Sequence, residues 1–217
     1  MTPDLTAILT RWATDEGRPF KGQLIDMQAY KADPESLSCF CAQGQVLHLI
    51  GGWDADRLMT TTQDEADNAT AKLLGISSTH AVLMRNINDS IDGAPAIVLT
   101  HPERVLGDQA QTVLAFWRYL DRMTQVQWTV ARKAARAAAG AAVAWDAAWA
   151  ASWDAARAAS WGNAAENAAG GNAAENAAWA THEIQGAAVM RAKGHAFHFL
   201  PLFGFADPEA VLAGDVA

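Results

Sequence analysis

Trp145, Trp149, Trp153, Arg157 and Trp161 follow one another at strict four-residue steps, and Trp179 closes a second repeat downstream. On an α-helix each step of four drifts by about 40°, so neighbours stack on one face while the ends of the series lie about 160° apart. Indole rings in such a row can stack on a flat ligand, and a guanidinium among them can pair with an anion. That is the chemistry of recognition, not of bond making. Trp at helical spacing also fills cores, so the series is read both as packing and as the candidate binding site.

Bond-making chemistry has weaker sequence support. No G-x-S-x-G, His-Glu-x-x-His or glycine-rich phosphate loop occurs. No cofactor is expected. Asp64, Glu65 and Asp67 fall near a helix start, where the helix dipole favours carboxylates without any catalytic role. Cys39, Cys41 and His48 fit the spacing of a structural zinc site poorly, and His195 and His198 point to opposite faces of an extended segment. No metal is expected. An enzyme whose site is assembled from distant residues would leave no motif, and stands as one alternative.

A second alternative is a DNA-binding regulator. Ala71 to Arg85, with Gly75 between two helical patterns, has the spacing of a helix-turn-helix, where a small residue and a turn glycine let two helices cross. Its would-be reading helix offers only His80 and Arg85 to bases or phosphates, and Asp89 and Asp92 follow. Residues 1–128 hold 10 basic and 16 acidic groups, a charge of −6 out of the −8 of the whole chain. No basic stripe is present to neutralise phosphates, so neither nucleic acid nor an anionic membrane is expected as a partner.

The elements that must carry the Trp series are unusual. From Ala134 to Ala180, 25 of 47 residues are alanine, so packing there depends on close backbone approach and on Trp. Trp145–Ser152 is copied as Trp153–Ser160, an octad, and Gly162–Gly170 is copied as Gly171–Ala178, a nonad. An octad advances the pattern by about 80° and a nonad by about 180° on an α-helix, so neither makes a coiled-coil seam. Gly170-Gly171 followed by Asn172 and Glu175 reads as a break and a new helix start. A long helix from about Gln125 to Ser160 is expected, then one or two shorter ones ending near Gly194. Propensity alone favours helix here, so a tolerated expansion of the repeat would fold the same way.

Elsewhere Thr2-Pro3, Asp33-Pro34, His101-Pro102 and Asp207-Pro208 read as helix starts, and Thr124 with Gln127 as a capping box. Helical patterns run over Leu5–Trp12, Leu37–Ile50, Glu65–Leu74, Thr79–Ile87 and Gln109–Met123. The best strand candidate is Ala96-Ile97-Val98-Leu99, although an apolar run that short is ambiguous. Ala196–Phe205, with Pro201 and Gly204 among its aromatics, reads as an extended tail in a hydrophobic groove. Cys39 and Cys41, one residue apart, cannot bridge without strain and are read as reduced. The N-terminus lacks the charged and apolar regions of a secretory signal, and no stretch reaches the ~20 apolar residues of a membrane span. A cytoplasmic protein is expected.

The tract Ala147–Ala180, with its Ala-Ala-Trp, Ala-Ala-Arg and Asn-Ala-Ala units, and the downstream Glu183-Ile-Gln-Gly, Met190-Arg and Phe199–Phe205 elements resemble uncharacterised alanine/tryptophan-repeat proteins of bacteriophages, prophages and GC-rich bacteria. The resemblance implies a small accessory protein of a phage or mobile element. The helix-start signals and helical patterns make the expected fold class all-α: an N-terminal helical domain over 1–123, then an Ala/Trp-rich helical array with an aromatic tail over 124–217. The expected function is non-enzymatic binding of a host protein or of a small anionic or aromatic, nucleotide-like ligand, by an inhibitor or sequestering protein that could self-associate.

Overall fold

Side-chain caps decide where several helices begin. Asp26 accepts from the Gln28 and Ala29 amides and opens α2 (Met27–Ala32), and Asp54 accepts from the Arg57 amide and opens α4 (Ala55–Thr60). Thr62 does the same for α5 (Gln63–Leu74) through the Glu65 amide, and Gly75 ends that helix in the left-handed conformation, φ 65°. Proline, whose missing N–H costs nothing in a first turn, starts α1 (Pro3–Trp12) and α7 (Pro95–Thr100). The remaining helices are α3 (Ala42–Leu49), α6 (Ser78–Ser90), α8 (Glu103–Leu106), α9 (Ala110–Arg122) and, again from a proline, α10 (Pro208–Ala213). The computed structural model describes residues 3–13, 17–90, 95–106, 110–127, 129–130, 203–205 and 208–213. Among them the chain is mostly helical, with no strand beyond two isolated bridges.

Three local expectations are corrected. Ala96–Leu99 is not a strand but lies inside α7. The apolar run was ambiguous, and Pro95 at the first helical position was the cue that decides it. Asp33-Pro34 starts no helix: Asp33 caps the end of α2, and its side chain accepts from the Glu35 amide, making a turn. Leu37–Ile50 is not one helix. A 3-10 turn (Leu37–Cys39) precedes α3, and between them Phe40 and Cys41 are drawn out into bridges with Ile25 and Phe20.

The chain divides into two compact units, Met1–Pro102 and Glu103–Ala217. In the first, α6 is buried nearly all round through Ala81, Val82, Leu83, Met84 and Ile87. The α3 and α5 helices pack on it, and α1 adds Leu5, Ile8 and Trp12. Extended residues tie α3 in place: Phe20 N–H donates to Phe40 O at 2.8 Å, Asp26 N–H to Cys39 O at 2.7 Å, and Cys41 N–H to Leu24 O at 3.1 Å. The approach is so close that a Cβ at Gly44 would run into the Leu24 carbonyl oxygen, which is why glycine stands there.

In the second unit α9 is strongly amphipathic, burying Val113, Leu114, Phe116, Trp117 and Leu120. It packs against α8 and α10. Past its end the expected capping box is formed: Thr124 N–H donates to Gln127 Oε1 at 2.7 Å, and Gln127 N–H returns to Thr124 Oγ1 at 3.3 Å.

Candidate functional site

Trp145, Trp149, Trp153, Arg157, Trp161 and Trp179 all lie outside the described residues, as do His195 and His198. Among the described residues a buried charged and polar cluster lies in the first unit, where α3, α5 and α6 meet. Asp67 of α5 is at the centre. Its Oδ1 accepts from Gln43 Nε2 at 2.6 Å, Gln63 Nε2 at 3.3 Å and Arg85 Nε at 3.2 Å, and its Oδ2 from Arg85 Nη2 at 3.1 Å. Gln63 also donates to Gln43 Oε1 at 3.1 Å. The Asp67 side chain is 7 % exposed and that of Arg85 14 %, so the forked ion pair is largely desolvated and held by charge-assisted bonds.

Dipole placement explains Asp64 and Glu65, which are exposed in the first turn of α5. It does not explain Asp67, which is buried because Arg85, Gln43 and Gln63 compensate it. Those four residues come from three separate segments. Their one local signal is the step of four from Gln63 to Asp67, which sets both on one face of α5.

A second buried polar centre lies on the same α3 helix. Gln45 Oε1 accepts from Trp12 Nε1 at 2.9 Å, and its Nε2 faces the carbonyls of Gly17 at 3.1 Å and Leu37 at 3.0 Å. A third pairing holds the 20–22 loop: Asn88 Nδ2 donates to Phe20 O at 2.8 Å, and Gly22 N–H to Asp89 Oδ1 at 2.9 Å. Each of these groups holds a loop or a helix in place.

Over the helix-turn-helix pattern, α5, the Gly75 turn and α6 follow in order and pack together. Its two reading residues are turned inward. His80 is buried, with Nε2–H donating to the Val98 carbonyl at 2.9 Å, and Arg85 is committed to Asp67.

The cysteines are free and buried core residues. Loss of solvation pushes the Cys41 thiol up to about 12, with Asp89 adding to the rise and the Gly44 and Gln43 amides and Arg85 opposing it. Burial likewise raises Cys39, whose Sγ–H donates to Ser36 O at 2.9 Å. Thiolates are the nucleophiles and metal ligands, so both sulfurs are held in their unreactive form. His48 stacks on Phe40 at 4.8 Å and donates Nδ1–H to the Trp53 carbonyl at 2.7 Å. Among the described residues no group of three or more His, Cys, Asp and Glu is placed to hold a metal ion. Nor is any described helix long and apolar enough to cross a membrane.

Compared with protein-family models, with curated proteins and with solved structures, the chain matches none.

Proposed function

We propose that this is a non-enzymatic binding protein whose recognition surface is the Ala/Trp tract, with Trp145, Trp149, Trp153, Arg157, Trp161 and Trp179 as contact residues. The observation that supports this reading most is the engagement of Asp67. Its carboxylate takes both nitrogens of the Arg85 fork and the amides of Gln43 and Gln63, which leaves it as a tie between helices and not as a free acid or base. His80 and the two thiols are likewise tied up or held neutral. Recognition then falls to the Trp and Arg side chains of the tract. They suit a host protein or a small anionic aromatic ligand, in the manner of an inhibitory or sequestering accessory protein of a phage or mobile element. The regulator alternative is weakened by the same pairing, since Arg85 cannot reach a phosphate without abandoning Asp67.

Native mass spectrometry of the protein purified from its natural host, alongside the Trp149→Ala/Trp153→Ala variant, tests the reading. The parent is expected to carry a bound ligand, a bound protein or a second copy, and the variant to lose it. A variant that binds and assembles as the parent does, and is only less stable, would assign the indoles to packing and end the proposal.

A further inference from the structure

We draw no further inference here: the strongest candidate, the exposed apolar pair Val126 and Val130 on the helical residues that follow the Thr124–Gln127 capping box, carries none, because nothing in the structure shows what covers it.

Discussion

In the first unit α3, α5 and α6 meet across a buried carboxylate, a guanidinium and two amides, whereas in the second α9 meets Phe203 and Phe205 ring on ring, with the Tyr119 hydroxyl on the Phe203 carbonyl. The difference bears on specificity. Asp67 has one satisfactory set of partners, and any shift in helix register would leave charge unpaired in a low-dielectric setting. Ring contacts such as those around Phe116 constrain register less, because apolar burial is non-directional. The first unit adds directional bonds to its apolar core, and the described contacts of α9 in the second add ring packing.

The largest expected effect tests the directional side. Asp67→Leu leaves Arg85 and Gln43 without their acceptor and should cost about 3–5 kcal/mol, as breaking a buried pair by removing one partner does. Adding Arg85→Leu should recover a large part of that loss, since two apolar side chains can replace a buried pair at little net cost. Urea denaturation of the two single variants and the double variant gives the cycle. A double variant no better than Asp67→Leu alone would mean that the charge pair is not what holds α5 to α6. The apolar side is tested by Phe116→Leu, a change of shape within a hydrophobic site, which should cost only about 1.5 kcal/mol. A loss as large as that of Asp67→Leu would erase the contrast between the units.

Much of this contrast was hidden in the sequence for a physical reason. The starts of α1, α8 and α10, the span of α9, the bodies of α5 and α6 and the Thr124–Gln127 box are written in neighbouring residues, and they were legible. The α2 and α4 helices were missed although Asp26 and Asp54 are good caps, because each is only six residues long and shows too little periodicity. The break at Phe40–Cys41 could not be read locally, since it is imposed by pairing with Phe20 and Ile25. The polar network posed the same difficulty: Gln43, Asp67 and Arg85 become one group only after three helices have packed. The burial of His80 and the engagement of Arg85 were equally hidden, since an amphipathic pattern does not say which polar residues will find a buried partner. The Trp series, the most conspicuous feature of the sequence, lies outside the described residues.

The cysteines extend the comparison to pH. The Cys41 thiol rises from 9.0 to about 12 on folding, so above pH 9 the unfolded chain gives up a proton that the folded one keeps. Stability from this group is therefore full below about pH 9, falls by about 1.4 kcal/mol per pH unit above it, and is gone near pH 12. Cys39 acts in the same direction. Denaturant midpoints measured at pH 8 and pH 10 should differ by less in Cys41→Ala than in the parent. Equal differences would mean that the thiol is already solvated in the folded state. Neither thiol should react with iodoacetamide at pH 8 until the first unit unfolds.

The smallest effect expected is a gain, and it comes from the same helix as Asp67. Thr70 lies three residues further along α5, fully buried, and its Oγ1 has no hydrogen-bond partner among the described residues. Burying a hydroxyl without a partner costs free energy, on the order of 1–3 kcal/mol in mutational series. Valine has nearly the shape of threonine and the same branching at Cβ, so Thr70→Val leaves the volume of the site almost unchanged, and it keeps one χ1 rotamer where threonine in a helix uses two. It removes only the hydroxyl. The variant should thus be more stable by about 1 kcal/mol, the low end of that cost, because helix relaxation recovers part of it in the parent. In urea the midpoint should rise while the slope stays the same, the signature of a change in stability alone. A lower midpoint would show that Oγ1 is bonded in solution and belongs to the directional network after all. A rise would mark the limit of that network, with directional bonding ending at Asp67 and apolar packing taking over one turn later.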